Sequence, residues 1–227
     1  MRFCMLLILF LNCFSAVKAQ VNQTTEQDSL YREDQFYVSV TYNALIDLPN
    51  NVSQNSFSTG FHLGFIRDFP LNKRRNIALG LGFGYSFNNF NQNIRISGSS
   101  PSTYTVIESS NYSKNNLSLQ FLEVPLEFRW RTSSSESYKF WRVYTGLKFG
   151  YLINSKSIFN NSTVSDKQKN LKDLNMIQYG LTMSIGYNTW NGYVYYGLNS
   201  IFNDVSTLDL QPIDMSALKI GLIFYIL

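Results

Sequence analysis

One stretch of this chain alternates strictly between large apolar residues and very small ones. It reads IALGLGFGYSF over residues 77–87. Successive side chains of an extended strand point to opposite faces, so one face here is bulky and apolar while the other carries glycine, alanine and serine. The glycines do not fit a G-x-G-x-x-G nucleotide fingerprint, because Tyr85 stands where the third glycine belongs. Such a strand is typical of a barrel wall with lipid outside and a narrow lumen inside, where glycines leave space for side chains from the opposite wall.

Similar alternation recurs along the chain in segments of about ten residues. The segments are residues 36–46, 56–67, 76–87, 116–131, 140–153, 175–187, 192–200 and 216–227. About ten tilted residues cover the roughly 25 Å apolar band of an outer membrane, and an even number of strands is usual in such barrels. The sequence therefore predicts an all-β fold, an eight-stranded antiparallel transmembrane β-barrel. A soluble lipocalin-like barrel, with bulky residues inside and polar ones outside, is the alternative fold.

The connections between these segments alternate in length. The short ones are residues 68–75, 132–139 and 188–191, and the long ones are residues 88–115, 156–174 and 201–215. In outer-membrane barrels the short turns are periplasmic, so we expect both termini to be periplasmic. The three tryptophans, Trp130, Trp141 and Trp190, all fall at the short connections. Because indole favours the membrane interface, we expect them to form the periplasmic aromatic girdle.

The N-terminus has the layout of a secretory signal peptide, with Arg2 before an apolar run and small residues before Gln20. We expect a signal peptide over residues 1–19, cleaved after Ala19, then a periplasmic lead-in over residues 20–35. Residues 36–227 are then the barrel domain, and the predicted location is the bacterial outer membrane. Both cysteines, Cys4 and Cys13, fall in the signal peptide, so the mature chain is expected to have no thiol.

Charge and composition limit the partners. Charged residues make up 15% of the chain and aromatic residues 16%. Without the two basic residues of the signal peptide, 17 basic side chains face 15 acidic ones, a net charge of about +2. We therefore expect no nucleic acid partner. The expected partners are outer-membrane lipid and other envelope or secretion proteins, and no cofactor is expected.

Charged residues on the small-residue faces predict a network inside the lumen. Apolar residues are odd-numbered up to Phe121 and even-numbered from Leu122 onwards, so we expect a β-bulge near these two residues. The predicted lumen charge network is Glu123, Glu127, Arg129, Arg142, Lys148 and His62. A symmetric hairpin would place Glu123 opposite Lys148, and Glu127 diagonal to Arg142. Paired charges of this kind predict a structural plug, with an ion or substrate path as the alternative.

His62 is the only histidine of the chain. An acyl hydrolase would need it as a base with a nearby nucleophile, and Ser58 and Ser86 are the possible neighbours. Neither serine lies in a recognisable motif, so we expect a hydrogen-bonded lumen histidine and no enzymatic activity. The chain has no cysteine or histidine cluster for zinc and no acidic loop with calcium spacing, so no metal site is predicted.

Three stretches give the chain a resemblance to a known family. They are RDFPLNKRR at residues 67–75 followed by the glycine-rich strand, LEVPLEFRWR at residues 122–131, and FWRVYTGLKFGYL at residues 140–152. In these stretches the chain resembles the PorT-like outer-membrane β-barrel family, which is described by the outer membrane protein beta-barrel domain. The resemblance implies a small barrel and, since the name-giving member belongs to the type IX secretion apparatus, a structural or accessory role in an envelope assembly such as protein secretion. Two alternatives stay open: a small passive, porin-like pore or ligand-binding barrel, and a barrel enzyme using His62.

Overall fold

The computed structural model describes residues 34–98, 102–132, 140–208 and 210–226. The predicted signal peptide and nearly all of the predicted lead-in lie outside these residues. The strands are β1 (Gln35–Ile46), β2 (Thr59–Pro70), β3 (Ile77–Asn91), β4 (Ile94–Ser97), β5 (Thr103–Val106), β6 (Lys114–Arg131), β7 (Trp141–Asn160), β8 (Ser165–Lys169), β9 (Ile177–Tyr187), β10 (Trp190–Gly197) and β11 (Ser216–Ile226). A short 3₁₀ turn spans Ser109–Asn111. None of the helical structure within the described residues is long and apolar enough to cross a membrane.

Eight of the strands close into an antiparallel barrel. Around the barrel their order is β1, β2, β3, β6, β7, β9, β10 and β11. Strand β11 then pairs back with β1, from Phe36 opposite Ile226 to Ile46 opposite Ser216. Closure leaves none of these strands with a free edge along its paired length. The predicted eight-stranded antiparallel barrel is confirmed, and each predicted segment overlaps one of its strands.

The outer surface of the barrel is apolar and its inner surface is polar. On β3, for example, Leu81 is 47% exposed and Phe83 is 59% exposed, whereas Ser86 on the inner face is fully buried. Large apolar residues exposed in rows around a closed barrel would be unfavourable in water and suit a lipid environment. The soluble lipocalin-like alternative, which needs the opposite arrangement, is wrong for this chain.

On β6 the apolar residues switch from odd to even positions, and the predicted bulge is not the cause of this switch. Leu117, Leu119 and Phe121 are buried on the inner face, as Glu123 is, so the inner face of β6 is odd-numbered throughout. The apolar residues change face because the surroundings change. Beside the later residues the outside is lipid, whereas beside the earlier ones the outside is water and the inside is a packed core. The extra residue lies on the neighbouring strand instead: Gln120 is opposite Asn154 and Phe121 is opposite Leu152, so Ile153 of β7 has no partner.

The strands extend past this level into a folded cap, which we define as the described residues of 92–112, 161–174 and 198–215. Its interior is apolar and joins the core at the barrel mouth. The buried residues are Phe90, Ile94, Ile96, Tyr104, Leu117, Leu171, Leu174, Ile201, Phe202, Ile213 and Met215. An ion pair between Arg95 and Asp166 ties β4 to β8, and the Tyr104 hydroxyl donates to Asp173 at 3.0 Å. Burial, together with the nearby Asp173 carboxylate, raises the pKa of Tyr104 above its ordinary value.

The tryptophans lie together at the opposite end of the barrel. Trp130 is the last residue but one of β6, Trp141 is the first of β7, and both are largely exposed on the outer face. Trp190 was expected inside a connection of residues 188–191, but it is the first residue of β10. It is paired with Tyr187, which is also opposite Trp141. The turn between β9 and β10 is therefore only residues 188–189, and Asn188 takes a left-handed φ of 56° there.

Candidate functional site in the barrel lumen

The lumen holds charged side chains supplied by four of the barrel strands, β2, β6, β7 and β11. Glu123, Glu127, Arg129, Arg142, Lys148 and His62 all point inward, and each is at most 5% exposed. They point inward because each lies on the face of its strand that alternates with the lipid-facing row. Asp68, Arg131 and Lys219 are buried among them. The charges divide into separate groups along the barrel axis.

The first group lies near the short turns and is centred on Asp68. One carboxylate oxygen of Asp68 accepts a hydrogen bond from Arg129 and the other accepts one from Arg131. Arg129 also donates to the side-chain oxygen of Gln35, and its Nε lies 3.5 Å from a carboxylate oxygen of Glu127. Two arginines thus face two carboxylates inside the barrel, which compensates the charge in a place where solvent cannot.

Gly80 allows this group to form. Strand β3 lies between β2 and β6, so Arg129 must cross β3 to reach Asp68. The residue it crosses is Gly80, which is opposite Asp68 on one side and Glu127 on the other. A Cβ atom at Gly80 would lie 2.7 Å from Cδ of Arg129 and 2.9 Å from Cγ2 of Ile66. The glycines of β3 therefore make room for side chains of neighbouring strands, and the expectation that these side chains come from the opposite wall is wrong at Gly80.

The second group lies at mid-barrel and is centred on Glu123. Nδ1 of His62 lies 3.0 Å from one carboxylate oxygen of Glu123, and Nζ of Lys148 lies 3.2 Å from the other. The expected strand register is wrong by two residues, because Glu123 is opposite Gly150, and Lys148 is opposite Pro125. The ion pair forms across this offset because the lysine side chain is long enough to reach diagonally.

Arg142 stands apart from both groups. Arg142 is opposite Arg131, whereas Glu127 is opposite Gly146, which lies four residues along β7 from Arg142. The predicted diagonal contact between Glu127 and Arg142 is therefore wrong. Nη1 of Arg142 instead donates to the backbone oxygen of Asn188 at 2.8 Å, and its guanidinium lies 4.4 Å from the ring centroid of Phe140. Arg142 therefore closes the short-turn end of the lumen.

The third feature is a small cavity between the second group and the cap. Its volume is about 20 Å³, room for roughly one water molecule. Its polar lining includes Glu123, Lys148, Gln178 and Lys219. Nζ of Lys219 lies 4.8 Å from the ring centroid of Tyr195, and no carboxylate of the described residues makes an ion pair with it. Phe90, Leu119 and Ile201, which also line the cavity, belong to the apolar core below the cap.

The sequence interpretation missed Asp68 and Lys219. Asp68 was assigned to a short connection, but β2 continues to Pro70, so the even-numbered inner face that contains His62 and Ile66 also includes Asp68. Lys219 lies between two outward-facing apolar residues of β11. The signal for both was available, since extending the period-two pattern by a few residues places each on the inner face.

His62 has a carboxylate partner, as a general base would, but the hydroxyl group within its reach is not positioned to act as a nucleophile. A carboxylate only accepts hydrogen bonds, so we assign the ring proton to Nδ1, which faces Glu123. Nε2 then faces the hydroxyl of Thr41 at 3.4 Å, rather than Ser58 or Ser86. Thr41 donates its proton to Asn43 at 2.8 Å and is buried, so it neither gives that proton to His62 nor meets solvent. Within the described part of the chain, no group of three His, Cys, Asp or Glu residues could hold a metal ion.

A closed barrel with a lipid-facing apolar wall, a charged filled lumen and aromatic residues at one rim is a transmembrane β-barrel protein. The family model for the outer membrane protein beta-barrel domain matches residues 18–203, and the chain belongs to this family. The protein is thus an outer-membrane β-barrel. A search of curated proteins gives no match. Among solved structures, the chain is similar to the crystal structure of Ail, the attachment invasion locus protein of Yersinia pestis. The two are 14% identical with a TM-score of 0.35, over 86% of this chain and 100% of that one.

Proposed function

We propose that this barrel is a non-enzymatic structural or accessory component of an outer-membrane assembly. In this proposal it acts through its cap and its short turns, and the lumen serves as a structural plug. The observation that carries the proposal is the filled lumen. Two charged groups and Arg142 occupy its length, the cavity above them has room for about one water molecule, and the apolar core of the cap lies over that cavity.

The orientation in the membrane is part of the proposal. We place the termini and short turns in the periplasm and the cap outside the cell, after export by a signal peptide cleaved following Ala19. The contrast between a two-residue turn at residues 188–189 and the folded cap at the other end supports this orientation. Single cysteines at Ser162 and at Lys73 would test it. An impermeant thiol reagent should label the first in intact cells and the second only after the outer membrane is opened, and the reverse pattern would contradict the orientation.

A role in type IX-like protein secretion is the more specific form of the proposal. It rests on the PorT-like resemblance alone. The three stretches that carry this resemblance include Asp68, Arg129 and Arg131, which form the first lumen group. Much of the resemblance thus concerns residues that stabilise the barrel, while the short turn at residues 71–76 is the exposed part available to a periplasmic partner.

Deletion of the gene tests the secretion role. The secreted and periplasmic proteins of the parent and the deletion strain would be compared, with outer-membrane integrity measured in both. Accumulation of secreted cargo in the periplasm, with an intact membrane, is the expected result. Crosslinking from Lys73 or Arg74 would then identify the partner. An unchanged set of secreted proteins would remove the secretion role and leave a general envelope function.

A passive pore remains the competing function, because β3 presents a row of glycines to the lumen. Arg129 and Tyr37 fill the space beside Gly80 and Gly84. We therefore expect no stable conductance when the purified barrel is inserted into planar bilayers. Steady single-channel currents from the barrel, absent in a preparation inactivated by boiling, would favour the pore.

A further inference from the structure

The outer face of β7 marks the level where the membrane ends on the cap side. Tyr151 and Ile153 are apolar and largely exposed, and so is Met176 just before β9. From Asn154 onwards the outward residues of β7 are mostly polar, while Phe159 is buried on the inner face. The apolar band therefore ends between Ile153 and Asn154, consistent with the change of pattern on β6 at the same height.

Lysines gather on the outward face just above this level. Lys156 of β7 is directly opposite Lys169 of β8, so their side chains share one face. Lys172 follows β8 and is exposed. Like charges directly opposite each other destabilise a sheet unless something compensates them. A site that brings these lysines together therefore favours an anion between them.

The neighbouring carboxylates do not provide that compensation. Asp166 pairs with Arg95, and Asp173 accepts the hydrogen bond from Tyr104. Among the residues that the structure describes, no carboxylate lies within ion-pair distance of Lys156, Lys169 or Lys172. Lys156 and Lys169 thus form an outward-facing cationic pair, and the exposed Lys172 lies three residues along the chain from Lys169.

A groove opens beside these lysines where β7 changes its partner. Strand β9 pairs with β7 up to Tyr151, and β8 pairs with it from Lys156 onwards. The groove between them has a volume of about 330 Å³. Its lining is apolar on the membrane side and polar on the cap side: Leu152, Ile153, Asn154, Ser155, Asn170, Leu171, Lys172 and Met176.

The height of the lysines fits the headgroup layer. Lys156 lies two residues beyond Asn154, which is about 5 Å along the membrane normal at a rise of about 3.3 Å and a tilt of about 40°. The headgroup layer on each side of a bilayer is about 5–8 Å thick. Lys167 and Lys114 lie farther along the same face, opposite Ile158 and Asn160, and so stand about 10–15 Å above the apolar band.

We propose that Lys156, Lys169 and Lys172 bind the phosphate of an anionic membrane lipid, with an acyl chain of that lipid against Ile153 and Met176 in the groove. The site places cationic groups at the level of the lipid phosphates and an apolar surface at the level of the acyl chains. A free phosphate would contact only the cationic groups. The assignment of the lipid to the outer leaflet rests on the proposed orientation. The binding itself does not, so its test is separate from that of the proposed function.

Lipid retention measured by native mass spectrometry tests the site. The full mature barrel would be released from nanodiscs that contain phosphatidylcholine with or without phosphatidylglycerol, and the bound lipids counted. We expect the barrel to retain one phosphatidylglycerol in preference to phosphatidylcholine. The double variant Lys156→Gln/Lys169→Gln should bind it about thirtyfold more weakly, given the usual contribution of each lysine near an anionic surface.

The matched control is Lys114→Gln/Lys167→Gln, which removes the same charge from the same face above the headgroup layer. It should retain the lipid as the unmodified barrel does. Equal losses in the two double variants would overturn the site and leave only a general effect of net charge. Inorganic phosphate at millimolar concentration should not displace the lipid, whereas displacement would overturn the acyl-chain part and identify a free-phosphate site. Altered electrophoretic mobility of the unheated barrel would reveal any folding defect in either variant.

Discussion

Asp68 and Arg129 form a fully buried ion pair that crosses the strand between them directly over a glycine. The pair joins β2 to β6 on the inside of the barrel, while β3 supplies Gly80 as the crossing point. A second arginine, Arg131, uses the other oxygen of the same carboxylate. Arg129 also donates a hydrogen bond to Gln35 of β1. The group therefore links β1, β2 and β6 at the end of the barrel where the tryptophans lie.

Replacing Asp68 should destabilise the barrel strongly. The change Asp68→Asn leaves Arg129 and Arg131 without the carboxylate between them, and removing one partner of a buried ion pair costs about 3–5 kcal/mol. The matched control is Asp166→Asn, since the pair of Asp166 with Arg95 is about a quarter exposed and should contribute at most about 1 kcal/mol. Urea unfolding in lipid vesicles, followed by tryptophan fluorescence, measures both. Similar losses in the two variants would show that burial does not set the cost.

Gly80 should not accept even one methyl group. In Gly80→Ala the new Cβ would lie 2.7 Å from Cδ of Arg129, so the arginine must move, and we expect a cost of about 1–3 kcal/mol. Gly192→Ala is the control, because the nearest atom to its Cβ would be the backbone oxygen of Ile185 at 3.7 Å. That change should stay within about 0.5 kcal/mol. The same unfolding assay decides, and an unaffected Gly80→Ala barrel would mean that Arg129 does not depend on the gap.

Glu123 and Lys148 should be strongly coupled. The change Glu123→Gln leaves Lys148 without its buried counter-charge, so it should cost several kcal/mol. The double variant Glu123→Gln/Lys148→Met removes both charges and should be more stable than Glu123→Gln alone. A double-mutant cycle of unfolding free energies measures the coupling. Additive effects, within about 0.5 kcal/mol, would contradict an ion pair between the two residues.

The cap should loosen without loss of the barrel. Ile96 is buried in the cap core, and Ile96→Ala should cost about 2–5 kcal/mol locally. We expect faster proteolysis within residues 92–112, while the unheated barrel keeps its electrophoretic mobility because its strand ladders are untouched. Leu208→Ala, at a largely exposed position of the same cap, should leave the cleavage rate unchanged. Equal cleavage of both variants would indicate that the cap is not packed around Ile96.

The tryptophans should report a single membrane depth. Trp130, Trp141 and Trp190 lie at one rim, where indole prefers the headgroup interface. Lipids brominated near the headgroup should quench their fluorescence more than lipids brominated at the chain ends. The three single-tryptophan variants, with phenylalanine at the other two positions, should give the same depth. Quenching that is strongest from the chain ends would contradict the aromatic girdle.

The sequence predicts which charged residues face the lumen better than it predicts which of them are in contact. The alternating pattern places Glu123, Glu127 and Arg129 on the inner face, and they are found there. The pattern does not say which inward charges meet, because that depends on strand register. The unpaired Ile153 of β7 and the offset of Glu123 from Lys148 are properties of two strands together. The contact between Asp68 and Arg129 even skips a strand, so no single hairpin could predict it.

The sequence by itself determined the strands and the chemistry of their two faces, because the period of two is a local property of extended backbone and lipid selects the apolar face. Barrel closure followed, since an open sheet edge inside a membrane would leave backbone groups without hydrogen-bond partners. The cap was decided only by the tertiary structure. Its residues were assigned to long polar connections, and Ile94, Ile96 and Phe202 become a core only where strands that have left the membrane bring them together. Beyond the lipid the apolar residues must turn inward to leave water, and that boundary exists only in the folded barrel.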